Sequence, residues 1–257
     1  MSAPNQVTAE SVALLSKLMH RLRPVAKQIM HCALAPTGPL RPMYSGLYHA
    51  QWVIRELCEM AHRSLIATPM FLTQCAVHGK RISVERIPYI QGQCHIELGN
   101  DVRISGQIDI AADRERRPVL KIGSCVFIGH ATTFGIGERI EIGDYVSIGN
   151  NCHITDTEGH NKYPDQCKPS WELRARAEDI SPVVIEDGAW LGQGVCVLKG
   201  VRIGARSIIG MNAVVRTNVP ADAVVMGNPA KTIPMNLFRR TAPPPGSIKP
   251  GASSSGE

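Results

Sequence analysis

The chain has 257 residues, 44% hydrophobic and 5% aromatic, and 28 Lys and Arg against 22 Asp and Glu leave a formal net charge of +6. That is ordinary soluble composition, with room for one large domain or one domain plus an appendage. The basic excess is scattered, with clusters at Lys80–Arg86 and Arg114–Arg117. It comes without an aromatic platform or DNA-binding motif, which argues against nucleic acid and favours anions such as a phosphorylated cofactor or an acidic membrane surface.

Residues 1–90 read as a helical N-terminal region. From Thr8 to Ala33, Val12, Leu15, Leu18, Leu22 and Val25 recur at helical spacing, with Pro24 as a stop or kink. The stretch Pro36–Pro42 reads as a break. A second helical run, 47–67, places Leu47, Val53, Ile54, Leu57, Met60 and Ala61 on one face. Such a face either packs on the protein itself or rests on a membrane surface as a peripheral contact.

Residues 91–235 carry a six-residue beat. Its fifteen apolar positions are Leu98, Ile104, Ile110, Ile122, Ile128, Phe134, Ile142, Ile148, Ile154, Ile185, Leu191, Val197, Ile203, Ile209 and Val215. A second inward residue is expected four positions after a beat, at Val102, Ile108, Val126, Val146, Val195, Val201 and Ala213. Nine beat residues are followed by Gly, read here as giving freedom to turn a tight corner. This period specifies a mainly β protein, a parallel β-helix of five to six triangular coils, roughly 25–30 Å long at ~4.8 Å per strand.

A coiled prism has no pocket of its own, so function is expected where the beat breaks. One hexad is replaced by 113–118. A two-residue bulge falls at Ile136-Gly137. From Ile154 to Ile185 the spacing is thirty-one where six was due. That places a twenty-five-residue insertion in the loop 155–184, which begins Thr155-Asp156-Thr157-Glu158-Gly159-His160-Asn161. A long insertion in a regular coil is a functional-loop candidate. Residues 236–257, rich in Pro, Gly and Ser, read as a disordered tail.

The eight cysteines form no CxxC pair and no ligand-like spacing with His. They read as free thiols of a reducing compartment, with Cys125, Cys152 and Cys196 as small packing residues in the coil. Met1–Glu10 shows no leader pattern and no run approaches ~18 apolar residues. The expected location is cytoplasmic, or peripheral to the inner membrane through 47–67.

The hexads, the Gly159-His160 loop, Ala189-Trp190-Leu191-Gly192 and Gly227-Asn228-Pro229-Ala230-Lys231 together resemble the hexapeptide-repeat acyltransferases. The resemblance is to the galactoside/maltose acetyltransferase and polysaccharide O-acetyltransferase branch, over about residues 90–235. It implies a left-handed β-helix assembled as a homotrimer, with acetyl-CoA as acyl donor between adjacent prisms and no metal. It implies acetyl transfer to a hydroxyl of a small-molecule or glycan acceptor, such as a sugar or glycan precursor. His160 matches the general base, and imidazole suits that task at neutral pH. Asp156 or Glu158 would orient its ring. Trp190 and Asn161 would border the acceptor. Gln193, Met211, Arg216, Thr217 and Lys231 match positions near the pantetheine arm or the phosphates of the donor.

Two other readings share the fold. A γ-carbonic-anhydrase-like hydratase would bind zinc through His130, His153 and His160. His130 and His153 lie twenty-one residues apart once the bulge is removed, not one 18-residue coil, so they should not stack. A non-catalytic trimeric scaffold would have no use for the Gly-His loop.

Overall fold

A computed structural model describes residues 40–158 and 176–234. The chain divides into two units at the Glu56/Leu57 boundary. The described part of the first belongs to an α-helix, α1, that runs Leu40–His62. It starts ahead of the expected run. Pro42 lies in its first turn, where an intrahelical N–H is not required, so it opens the helix rather than breaking the chain. No residue of α1 is buried, and Leu47, Val53, Ile54, Leu57 and Met60 are all exposed. Among the described residues no helix is long and apolar enough to cross a membrane. The expected helix over 8–33 and the tail 236–257 lie outside the described residues.

The second unit is a parallel β-helix with three faces. Sheet A stacks Cys75–His78, His95–Leu98, Val119–Ile122, Arg139–Ile142, Val183–Ile185 and Arg202–Ile203. Sheet B stacks Ser83–Val84, Arg103–Ile104, Phe127–Ile128, Ser147–Ile148, Trp190–Leu191, Ile208–Ile209 and Val224–Met226, and ends in Lys231–Ile233. Sheet C stacks Tyr89–Gln91, Asp109–Ala112, Thr133–Ile136, His153–Thr155, Cys196–Val197 and Val214–Val215. The pairing is parallel except at the last step of sheet B, where Lys231–Ile233 runs antiparallel to Val224–Met226. The coil therefore begins at Cys75, not at residue 91. The strands from 75 to 91 are too short and too mixed in character for a periodicity count to detect.

All fifteen beat residues are buried, none more than 4% exposed, and the seven residues four positions later are buried with them. They fill a single core. Core side chains at the open end of a coil would face water, and here Phe71, from the short helix Thr68–Leu72, joins the core and closes that end. The Thr68 hydroxyl accepts the Val84 N–H at 2.9 Å and ties this plug to the first turn of sheet B.

The glycines after the beat have another reason than the expected one. None of the nine has positive φ. The corners are turned two residues later, by residues such as Asp101, Tyr145, Asn151 and Asn212 at φ near +57°. What excludes a side chain after the beat is the next coil. A Cβ on Gly149 would sit 2.7 Å from the Gln193 backbone nitrogen, far inside contact distance. Cys125 holds one of these left-handed corners (φ 58°) and is exposed, so it does not pack in the core as expected; Cys152 does. Cys196 is half-buried on the outside of sheet C, and all six described cysteines are free.

Every break in the beat falls on the corner between sheet C and sheet A. The 113–118 segment, the bulge at Ile136-Gly137 and the long insertion all lie there. So does a further two-residue excess between Ile90 and Leu98, in the coil that the sequence reading did not count. The other two corners keep strict spacing, and one edge of the prism collects all the variation.

Candidate active site

The long insertion leaves the prism after His153–Thr155 and rejoins it at Val183–Ile185. Its two stems are tied together. Thr157 and Ile180 form an antiparallel bridge, and the Ser181 N–H donates to the Asp156 carbonyl at 2.8 Å. The Thr155 hydroxyl donates to the Thr157 carbonyl at 2.7 Å.

Asp156 is fully buried beneath this junction. Its Oδ1 accepts the Gly137 N–H at 2.5 Å, and its Oδ2 accepts those of Glu138 (2.8 Å) and Arg139 (2.6 Å). Those three amides belong to the bulged corner of the preceding coil. A two-residue bulge leaves N–H groups without ladder partners, and a buried carboxylate satisfies them. The expected task for Asp156 was to orient the His160 ring; the contacts the structure gives it are to the corner below.

The coil above contributes Lys199. Its ammonium lies 3.0 Å from Glu158 Oε1 and 3.8 Å from Asp179 Oδ1, one carboxylate on each stem. The Asp179 side chain is 4% exposed. The neighbouring Gly200 N–H donates to the Ser181 carbonyl at 2.8 Å. Sequence reading missed Lys199, because a Lys at a corner of the repeat carries no local signal of what lies beneath it. His160 and Asn161 lie outside the described residues.

The remaining expected site residues fall into two groups. Trp190 is 53% exposed on the outer side of sheet B, in register with Ser147 and Ile208. Three residues on, Gln193 sits at the corner between sheets B and C. Met211 occupies the same corner one coil later, and the Asn212 N–H beside it donates to the Gln193 carbonyl at 2.9 Å. Both side chains face solvent. Arg216 and Thr217 are exposed at the opposite edge of sheet C, the edge from which the insertion leaves. Lys231 is exposed on the terminal antiparallel strand beside Met226. Its segment is anchored on sheet C by hydrogen bonds from Ala230 to Val214 (2.9 Å) and from Val214 to Gly227 (3.0 Å). Trp190, Gln193, Met211 and Lys231 thus lie on sheet B or at the edge it shares with sheet C, and Arg216 and Thr217 at the opposite edge of sheet C.

His153 and Cys196 are side-by-side partners on the outside of sheet C. Burial pushes the Cys196 thiol up from its ordinary value, and does the same to Cys152 next to it. Both stay neutral, the unreactive form. His153 lies opposite Thr133 rather than His130, which sits at the corner of sheets B and C. Among the described residues no three His, Cys, Asp or Glu side chains converge as metal ligands would.

A prism of parallel six-residue turns with one long excursion defines a class, the hexapeptide-repeat proteins. The chain has that architecture. Residues 182–217 match the family model described as bacterial transferase hexapeptide (six repeats). The chain is 30% identical over 172 residues to a probable acetyltransferase of Mycobacterium tuberculosis, across 66% of this chain and 54% of that protein. It is 29% identical over 174 residues to a putative lipopolysaccharide biosynthesis O-acetyl transferase of Escherichia coli, across 66% of this chain and 84% of that protein. The match thus spans only about half the length of the first of these relatives. Among solved structures the chain is similar in fold to a variant of AntD, an N-acyltransferase from Bacillus cereus in complex with dTDP and coenzyme A. The TM-score is 0.51 at 17% identity, over 68% of this chain and 96% of that one.

Proposed function

We propose that the protein is an acetyl-CoA-dependent O-acetyltransferase. It moves acetyl to a hydroxyl of a sugar or glycan precursor, works as a homotrimer in the cytoplasm, and uses His160 as general base. The observation that carries this is the single long excursion in an otherwise closed coil. It has a Gly-His at its start and roots anchored to the coils above and below. The relatives, a probable acetyltransferase and a putative O-acetyl transferase of lipopolysaccharide biosynthesis, support the same chemistry.

The imidazole of His160 takes the proton of the acceptor hydroxyl as that oxygen attacks the thioester carbonyl. The carbonyl π electrons move to oxygen, then return as the carbon–sulfur bond breaks. The coenzyme thiolate leaves and receives the proton from the imidazolium. No enzyme nucleophile is needed, in keeping with neutral, burial-raised thiols at Cys152 and Cys196. Trp190 and Asn161 border the acceptor. Gln193 and Met211, on consecutive coils of one corner, offer backbone and side chains to the pantetheine arm. Arg216, Thr217 and Lys231 meet the phosphates, where guanidinium and ammonium groups pair well. Arg216 and Thr217 sit at the opposite edge of sheet C from Gln193, Met211 and Lys231, so a complete site draws one edge from each of two neighbouring prisms.

The test is transfer from labelled acetyl-CoA to a panel of sugars, nucleotide sugars and lipid-linked glycans. His160→Ala is expected to lower turnover by about 10² or more while leaving acetyl-CoA binding intact. Near wild-type turnover in that variant would show that another group is the base.

A further inference from the structure

We infer that α1 is an oligomerisation helix, whose apolar face takes the same face of other copies of this chain, packed side by side and running in one direction. The seam rests on α1 itself; the number and direction of its strands rest on the homotrimer read above.

Helices in proteins owe most of their stability to a packed face, and an isolated helix is marginal in water. The 23 residues of α1 include Gly46, Trp52, Val53 and Ile54, none of them a strong helix former. Yet no residue of α1 is buried. Leu40, Met43, Leu47, Ile54, Leu57 and Met60 are 39–60% exposed. Side chains of that size leave an apolar surface on the order of several hundred Å², at the upper end of what a monomer shows. It is comparable with the roughly 800 Å² that each partner gives to a standard interface.

The pattern of the face identifies its occupant. Leu40, Leu47, Ile54 and Ala61 recur every seven residues, and Met43, Ala50 and Leu57 follow the first three of them by three. That is a heptad seam, in which side chains of one helix insert between those of another. A third column, Gly46, Val53 and Met60, stands beside the seam. A two-column stripe suits a pair of helices, and a stripe widened on one flank suits a helix with two neighbours. A three-fold rotation preserves the direction of each copy along its axis, so like layer meets like. Charged residues stay out of all three columns: Arg41, Arg55, Glu56 and Glu59 lie elsewhere on the helix, beside Tyr48 and Trp52. Copies therefore meet without burying a charge. The same four residues argue against a lipid surface. A helix that lies on a membrane carries a basic polar face, whereas α1 has two Arg and two Glu.

The experiment uses the full chain with Ile54→Cys, in the seam, and Arg55→Cys, one residue outside it. Both carry Cys58→Ser, which removes the exposed thiol nearby. Each replaced side chain is exposed, so the coil core is untouched. Oxidised glutathione is the oxidant, and mass spectrometry without reductant reads the disulfide that joins the introduced thiols of two copies. Neighbours in an assembly meet at millimolar effective concentration, so Ile54→Cys should link about tenfold faster than Arg55→Cys, or more. Adding Leu47→Glu, which puts like charges one heptad away in the seam, should slow the Ile54→Cys link by about tenfold. Adding Arg41→Glu, outside the seam, should not. Sedimentation equilibrium should give three chains, and the wild type should stay in solution when vesicles of phosphatidylcholine and phosphatidylglycerol are pelleted. Equal linking in Ile54→Cys and Arg55→Cys, or none in either, would overturn the inference and give the face to another segment or another protein. Pelleting with the vesicles that Leu47→Glu abolishes would overturn it in favour of lipid. Fast linking of Ile54→Cys in an assembly of two chains would sustain the seam and overturn the homotrimer. Three chains without that linking would do the opposite.

Discussion

Asp156→Asn tests the coupling between the insertion and the coil. The carboxylate accepts three backbone N–H groups at 2.5–2.8 Å from a fully buried position. A hydrogen bond to a charged group contributes about 1.5–3 kcal/mol net, and a neutral one about 0.5–1.5. In its better orientation an asparagine keeps the two bonds from Glu138 and Arg139 as neutral ones. It then turns its NH₂ toward the Gly137 N–H, donor against donor. The neutral side chain is cheaper to bury, which offsets part of the loss. The expected net destabilisation is about 3 kcal/mol. For a coil of this size, at roughly 2–4 °C per kcal/mol, that lowers the melting temperature by about 6–12 °C. Thermal unfolding followed by circular dichroism measures it, with His160→Ala as the control expected to melt like the wild type. A melting temperature for Asp156→Asn within about 1 °C of wild type would refute the role given to the carboxylate.

Two further predictions concern packing and thiols. Gly149→Ala would place its Cβ against the Gln193 backbone, which the coil cannot move aside. A loss of about 2 kcal/mol is expected by urea denaturation. Gly46→Ala, in α1 where nothing lies within 4 Å of the new Cβ, should instead be neutral or gain up to about 1 kcal/mol. Burial pushes the thiols of Cys75 and Cys94 up to about 12 and about 11, each also sensitive to a nearby charge. At pH 8 both should react with a thiol reagent far more slowly than the exposed Cys58 and Cys125. Because these folded values lie above the ordinary 9.0, their contribution to stability is complete below that pH. It is lost as the pH rises from there towards 11–12, so unfolding should become easier across that window. Equal labelling rates for all four thiols would refute the burial.

The inward residues were legible in advance because a coil repeats one local environment. Ile104, Ile128, Ile148, Leu191 and Ile209 meet the same neighbours above and below, and each is apolar for the same reason. The insertion was legible as a break in that count. The first coil was not, since Ser83–Val84 and Tyr89–Gln91 pair in the stack without matching the pattern in composition. The glycines were read correctly as necessary, but the cause lay one coil away.

By itself the sequence determined the period, the apolar interior and the position of the one long excursion, since each depends on residues near one another in the chain or on a repeated spacing. Only the tertiary structure decided that every irregularity shares one edge of the prism, because that edge is made by turns twenty or more residues apart. It also decided the partners of Asp156 and Lys199. Asp156 is joined to amides seventeen to nineteen residues earlier, and Lys199 reaches Glu158 across the whole insertion. Contacts made by stacking coils depend on register along the prism axis, and a residue's immediate neighbours in the chain do not encode them.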